Sequence, residues 1–126
     1  MGPKGFSFNR ILRSFGYAFR GIAAAFSSSE INIKIHTFVA FIAITLSILL
    51  SISLIEWIAV ILCIGMVIAA EMTNSAIETF VDFVSPEWHE KAGVVKDIAA
   101  GAVLVLAITS VVIGTIIFLP KIIALF

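Results

Sequence analysis

Residues 57–84, WIAVILCIGMVIAAEMTNSAIETFVDFV, decide the fold of this chain. The first fourteen residues of the stretch are uncharged and almost wholly apolar, and four polar side chains follow: Glu71, Asn74, Glu78 and Asp82. Steps of three, four and four residues place these side chains on one face of a continuous helix. An ionisable group costs roughly 2.5–3.5 kcal/mol at the centre of a bilayer, so a functional role is the default interpretation.

The composition indicates a membrane protein. Of the 126 residues, 61% are hydrophobic and 13% are charged, whereas a soluble domain carries about 25% charged residues. The length allows about three spans of ~20 residues each. The single cysteine, Cys63, excludes an internal disulfide. We therefore predict an all-α integral membrane protein with one domain, 1–126, and no nucleic acid partner.

Apolar residues recur at helical spacing near the N-terminus, and basic side chains such as Arg10, Arg13 and Arg20 lie between them. This pattern predicts an amphipathic helix over residues 8–27 that lies on the membrane surface. No secretory signal is expected, because no unbroken apolar core follows the basic N-terminus. Three membrane-spanning helices are predicted after the surface helix, at residues 33–55, 57–84 and 94–119.

The connections between these helices carry further predictions. Ser27 and Glu30, three residues apart and ahead of an apolar run, match a capping box. Glu30 therefore has two interpretations, a helix cap or a site residue. A tight turn is predicted at residues 54–57, and Pro120 is predicted to end the last span.

The distribution of basic residues predicts the orientation in the membrane. Five basic residues precede the first span, two lie at the connection between the second and third, and the turn after the first span has none: Lys4, Arg10, Arg13, Arg20 and Lys34, then Lys91 and Lys96. The positive-inside rule places the N-terminus and the 85–96 connection in the cytoplasm. Glu71 then lies ~21 Å into a core ~30 Å thick, towards the cytoplasmic side.

A set of polar groups at this level fits phosphoryl transfer from ATP to a lipid alcohol. The reaction needs carboxylates that hold magnesium, a cation that faces the phosphates and a carboxylate that takes the hydroxyl proton. Glu71 is the natural base, because apolar surroundings make a carboxylate a stronger proton acceptor. Glu30 and Glu78 are natural metal ligands. Lys96 and Arg10 are candidates for the phosphates, although neither GxxxxGK[ST] nor GxGxxG is present.

The residues alone leave a second function open. In a small proton- or cation-coupled transporter, Glu71 would be the coupling carboxylate and Asn74 a packing residue. Alternating-access sites lie near the midplane of the bilayer. The acidic groups of this chain are expected at one interface, which favours the kinase.

The string EMTNSAIETFVD at residues 71–82, followed by Lys96-Asp97 and AAGAVL, closely resembles the prokaryotic diacylglycerol kinase and undecaprenol kinase family. The resemblance extends from the helix of Arg10 to the third span. It implies a homotrimer of three-span subunits, with active sites shared between neighbours. It also implies ATP as co-substrate, Mg²⁺ as cofactor, and a place in the bacterial cytoplasmic membrane with the site on the cytoplasmic side.

The resemblance further implies roles for individual residues. Glu71 corresponds to the catalytic base, with Asn74 beside it, and Glu30 and Glu78 correspond to ligands of magnesium and nucleotide. Six further ATP contacts are implied, the last two on the Glu87-Trp88-His89 loop: Arg10, Tyr17, Lys96, Asp97, Glu87 and His89. Two roles stay open, since Asp82 is either a site residue or a helix-end group and His89 either contacts nucleotide or does not. His36 is interpreted as an interfacial histidine.

Three segments bear on the lipid substrate. NIKIH at 32–36, SLIEW at 53–57 and IIFLPK at 116–121 resemble the undecaprenol kinase branch of Gram-positive bacteria. The diacylglycerol kinase branch has an acidic residue where His36 stands. Undecaprenol is therefore the favoured substrate and diacylglycerol the alternative. Both lipids present a primary hydroxyl beneath apolar chains, so no physical argument from the sequence separates them.

Overall fold

The computed structural model describes residues 5–126, which form helices and no strand. Four helices follow one another along the chain: α1 Phe8–Ser27, α2 Ile31–Leu49, α3 Leu54–Val84 and α4 Glu90–Ile123. The last three are long and apolar enough to cross a membrane. The predicted all-α class, with one amphipathic helix before three spans, is confirmed. Lys4, which was counted in the orientation prediction, lies outside the described residues.

Helix α1 has the bounds that its amphipathic pattern predicts. None of its residues is buried, and the apolar side chains of Phe15 and Phe19 are 60% and 68% exposed. On the polar side, the Arg20 guanidinium lies over the ring of Tyr17, with 4.8 Å between Cζ and the ring centroid. An apolar helix face without a protein neighbour suits the surface of a bilayer.

Helix α2 ends at Leu49 and not at the predicted residue 55. The cause is Ser51, which adopts a left-handed backbone conformation with φ of 48°. A right-handed helix cannot continue through such a residue. The uncharged run continues past this point, so hydropathy alone places the end too late.

Helix α3 begins at Leu54, so the predicted tight turn at 54–57 is its first turn. A capping box fixes this start. The backbone N–H of Glu56 donates to Ser53 Oγ at 3.2 Å, and the backbone N–H of Ser53 donates to Glu56 Oε2 at 2.9 Å. The helix then runs without interruption to Val84.

The capping box predicted from Ser27 and Glu30 is wrong. Helix α1 continues through Ser27, whose hydroxyl donates to the carbonyl of Ala23 at 2.6 Å. Helix α2 begins at Ile31, and Glu30 occupies its N-cap position without a side-chain capping bond. The carboxylate of Glu30 instead accepts a hydrogen bond from the hydroxyl of Ser75 on α3. Glu30 thus joins two helices.

Helix α4 is longer than the predicted span 94–119. It begins at Glu90, because His89 caps it: the backbone N–H of Lys91 donates to His89 Nδ1 at 3.1 Å. It also continues past Pro120 to Ile123. A proline inside a helix removes one backbone hydrogen bond.

Lys121 gives a reason for this continuation. Its Nζ lies 3.3 Å from Glu56 Oε2 in the first turn of α3. The ion pair joins the start of α3 to the last turn of α4, next to a small core formed by Ile52, Val60 and Ile117. This end of the bundle is the one remote from Glu71.

Helix α3 is the centre of the bundle. It packs along α4 and α2, while α1 touches α2 and α3. Two of its five buried residues are polar, and they lie between apolar ones: Val60, Val67, Glu71, Asn74 and Val81. The polar face of α3 is therefore covered where α1, α2 and α3 meet, and the candidate site lies there.

Candidate active site

Glu71 and Asn74 form the buried centre of the site. Their exposed fractions are 2% and 5%. Glu71 Oε1 and Asn74 Oδ1 are both buried, and neither accepts a hydrogen bond from any group within residues 5–126. A buried polar atom without a partner costs about 1–3 kcal/mol. Two such acceptors side by side indicate a place where a ligand supplies the missing donors or a cation.

His36 lies beside Glu71. Its Nε2 is 3.7 Å from Glu71 Oε2, and its side chain is 22% exposed. The structure adds this contact to the interpretation of His36 as an interfacial histidine, which stays a prediction. Asn32 lies one helical turn earlier on α2. The four-residue spacing of Asn32 and His36 puts both on one face of α2, which is the signal that could have found them.

Glu30 and Glu78, the predicted metal ligands, flank this centre. Asn74 Nδ2 donates to Glu78 Oε1 at 3.4 Å, and Ser75 Oγ donates to Glu30 Oε2. Asn74 and Ser75 stand three and four residues after Glu71 on α3, so these bonds bring the three acidic groups to the same part of the bundle. Ser75 was missed, although it stands next to Asn74 in the motif.

The donor atoms here fit magnesium in kind but not in number. Within residues 5–126, no group of three or more His, Cys, Asp or Glu side chains could hold a metal ion. Mg²⁺ commonly takes one or two carboxylates and completes its shell with water and substrate phosphates. Glu30, Glu78 and the unpartnered carbonyl oxygen of Asn74 are suitable oxygen ligands for such a shared site.

Lys96 carries the positive charge near the site. Its Nζ lies 2.5 Å from Asp82 Oδ1, and Glu78 also acts on it. The pair joins α3 to α4 near their connection. Asp82, whose role the sequence leaves open, is therefore the partner of Lys96 within one chain. Its side chain is 66% exposed.

The remaining predicted nucleotide contacts lie on the surface, without a polar contact to Glu71 among residues 5–126. All five are exposed: Arg10, Tyr17, Glu87, His89 and Asp97. No hydrogen bond or ion pair among residues 5–126 joins them to the three acidic groups. His89 uses its Nδ1 to cap α4. The single chain holds the proton acceptor and candidate metal ligands, while these five side chains face outwards.

A groove of about 690 Å³ adjoins Glu30 between α1 and α3. Ser75 and Thr79 contribute hydroxyls to it, and Phe80 and Phe83 contribute apolar surface. This volume is within the range of small-molecule sites, roughly 300–1,000 Å³. A ligand with a polar end and an apolar body matches this mixture of side chains.

A family model described as prokaryotic diacylglycerol kinase matches residues 16–118, most of the chain. The chain belongs to the prokaryotic diacylglycerol kinase family. This confirms the family predicted from the motif at 71–82. Together with the three apolar helices, it establishes a membrane protein. The matched range of the diacylglycerol kinase family includes Tyr17 and all three acidic groups, while Arg10 precedes it.

Curated members of the diacylglycerol kinase family resemble the chain over most of its length. Undecaprenol kinase of Bacillus subtilis is 41% identical over 113 residues, which cover 90% of this chain and 91% of the relative. Diacylglycerol kinase of Synechocystis is 39% identical over 116 residues, 91% of this chain and 66% of the relative. Diacylglycerol kinase of Escherichia coli is 31% identical over 105 residues, 83% of this chain and 85% of the relative.

Proposed function

We propose that this protein is a membrane lipid kinase that transfers the γ-phosphoryl group of ATP to the hydroxyl of undecaprenol. Membership of the family supports the class, a lipid kinase. The observation that carries the proposal for this chain is Glu71. It is 2% exposed in an apolar helix, and one of its carboxylate oxygens accepts no hydrogen bond from residues 5–126.

Glu71 acts as the general base. Its Oε1 accepts the proton of the lipid hydroxyl, and the O–H bond breaks as the oxygen forms a bond to the γ-phosphorus. The bond from this phosphorus to the bridging oxygen of ATP breaks, and ADP leaves with the electron pair. Asn74, one turn along α3, donates to Glu78 and so orients that carboxylate.

Glu30 and Glu78 would hold Mg²⁺ together with the phosphates of ATP. When bound, the ion neutralises charge on the phosphate oxygens. Lys96 would face the phosphates. Its Nζ lies 2.5 Å from Asp82 Oδ1, and an ammonium group has three N–H donors, so the lysine can contact a phosphate as well.

The exposed nucleotide contacts are completed in a homotrimer. We propose that Arg10, Tyr17, Asp97, Glu87 and His89 bind ATP at sites shared between neighbouring subunits. Their exposure in one chain supports this arrangement. The site faces the cytoplasm of a bacterial cytoplasmic membrane, because basic residues cluster in α1 and near the connection of α3 and α4.

Undecaprenol is favoured as the lipid, and diacylglycerol is the alternative. The relative named undecaprenol kinase is 41% identical, compared with 39% and 31% for relatives named diacylglycerol kinase. The resemblance places an acidic residue at the position of His36 in the diacylglycerol kinase branch, and the histidine found here also favours undecaprenol. With diacylglycerol as substrate, the same chemistry would produce phosphatidic acid.

A direct comparison of substrates tests the proposal. The purified protein in lipid nanodiscs receives Mg-ATP with undecaprenol, with diacylglycerol, or with both in competition. We expect phosphate on undecaprenol at the higher kcat/KM, and no transfer after magnesium is chelated with EDTA. Preference for diacylglycerol would assign the alternative kinase. Transfer to neither lipid would contradict the kinase and favour the transporter, which a proton-coupled flux assay then examines.

A further inference from the structure

The imidazole of His36 reaches Glu71 from a different helix. His36 Nε2 on α2 lies 3.7 Å from Glu71 Oε2 on α3. This separation slightly exceeds a direct hydrogen bond. Catalytic contacts are often long without substrate and shorten when substrate binds. The pair is therefore positioned to form a hydrogen bond during the reaction.

The two oxygens of the Glu71 carboxylate have different surroundings. Oε2 faces His36, whereas Oε1 is buried and has no hydrogen-bond partner within residues 5–126. A carboxylate held through one oxygen presents the other in a fixed direction. On this basis we propose that His36 is a positioning residue for Glu71, holding Oε2 so that Oε1 accepts the proton of the lipid hydroxyl.

The other groups around Glu71 make this role specific to His36. The carboxylates of Glu30 and Glu78 carry the same charge as Glu71 and are bonded to Ser75 and Asn74 instead. Lys96 is paired with Asp82. Within residues 5–126, His36 is the basic side chain that pairs with Glu71. Its Nε2–H can donate to Oε2 when the imidazole is neutral as well as when it is charged.

His36 also borders a mostly apolar cavity. His36 lines a cavity of about 390 Å³ between α2, α3 and α4, together with apolar side chains such as Val39, Val67 and Ile68. These walls offer the imidazole few competing polar partners. Among residues 5–126, Glu71 is the one charged partner of His36, which suits a residue that orients another.

Variants of His36 test the inference, which rests on the proposed function. His36→Leu removes the donor and keeps an apolar side chain; His36→Gln keeps a nitrogen donor of similar reach. We expect His36→Leu to lower kcat roughly tenfold or more with an unchanged KM for ATP. His36→Gln should recover most of kcat. The matched control is Thr37→Val, because the Thr37 hydroxyl donates to Ile33 of its own helix at 2.6 Å.

A second readout does not depend on turnover. Infrared difference spectra identify the Glu71 carboxylate band by its loss in Glu71→Gln. We expect this band to shift in His36→Leu and to stay in place in Thr37→Val. His36→Met, with a more adaptable apolar side chain, replaces His36→Leu in both assays should the leucine variant fail to fold.

Failure of the inference and failure of the proposed function give different results. An active wild-type protein with full turnover in His36→Leu, no recovery in His36→Gln, or an unshifted carboxylate band would overturn the role of His36 alone. A wild-type protein that phosphorylates neither lipid overturns the proposed function, and the inference with it.

Discussion

Glu71 is buried, and one of its carboxylate oxygens has no hydrogen-bond donor in the part of the chain that the structure describes. A change of this one side chain therefore separates chemistry from binding. Glu71→Gln keeps the size and removes the proton acceptor. We expect kcat to fall by about 10²–10⁴-fold, with ATP binding retained because Glu30 and Glu78 remain. Radiolabelled phosphate transfer and equilibrium ATP binding measure the two effects. Thr73→Val, which removes only a bond to Ala69 of the same helix, is the control; comparable turnover in both variants would exclude Glu71 as the base.

Glu78 is expected to affect magnesium instead. Its carboxylate accepts from Asn74 and flanks the buried centre, and Glu78→Gln removes a charge from a proposed metal ligand. We expect the Mg²⁺ concentration at half-maximal activity to rise roughly tenfold, equivalent to ~1.4 kcal/mol. A Mg²⁺ titration at fixed ATP measures this shift. An unchanged midpoint would remove Glu78 from the metal site, provided that Thr73→Val also titrates like wild type.

For individual side chains, the sequence predicted the positions that depend on a single helix. Glu71, Asn74 and Glu78 share a face because helical periodicity is a property of the backbone. His36 and Ser75 were missed as site residues, since their contacts depend on how α2 and the N-cap of α2 lie against α3. The rotation of one helix relative to another is set by packing of many side chains. The spacing of residues along the chain therefore does not predict this rotation.

The helices themselves provide a prediction about stability. Ser53→Ala removes the hydroxyl that accepts from the Glu56 N–H at the start of α3. We expect the free energy of unfolding to fall by about 0.5–2 kcal/mol, with the kinetics at 25 °C little changed because Glu71 is remote. Unfolding in mixed micelles with increasing SDS measures the loss. Thr109→Val, which removes an own-helix bond to Val105, is the control, and equal stability of both variants would contradict a stabilising cap.

Two Ser-x-x-Glu strings, at 27–30 and 53–56, show why helix ends were only partly predictable. The second string forms a capping box. In the first, the carboxylate of Glu30 is bonded to Ser75 of another helix. The local patterns are alike, and the tertiary contact decides between them. The bounds of α1, by contrast, follow from an amphipathic pattern that is complete within the helix itself.

At the scale of the whole molecule, a single chain has a small buried core. Among residues 5–126, only nine hydrophobic side chains are buried, although three helices are long enough to span a membrane. Large apolar faces therefore remain for lipid or for further copies of the chain. The spacing of residues along one chain does not specify how copies of the chain assemble, so the homotrimer stays a prediction from resemblance.

Mixed assemblies test the shared site. Glu71→Gln and Lys96→Met subunits are each expected to be inactive alone, because one lacks the base and the other the phosphate cation. Refolded together, they should recover activity several-fold above either parent if one subunit supplies α3 and its neighbour supplies α4 to a site. The turnover of this mixture is compared with the turnover of each variant refolded alone. A mixture as inactive as its parents would indicate that Glu71 and Lys96 of one chain serve the same site.

An ion pair joins Glu56 to Lys121 at the end of the bundle remote from the base. The small core of Ile52, Val60 and Ile117 lies beside it. At the opposite end, α3 and α4 are joined by the connection at 85–89 and by the pair of Lys96 and Asp82. Both ends of this helix pair are therefore tied together, and Glu71 keeps its depth between them. A long-chain alcohol then has to reach Glu71 sideways from the bilayer, without first leaving the lipid phase.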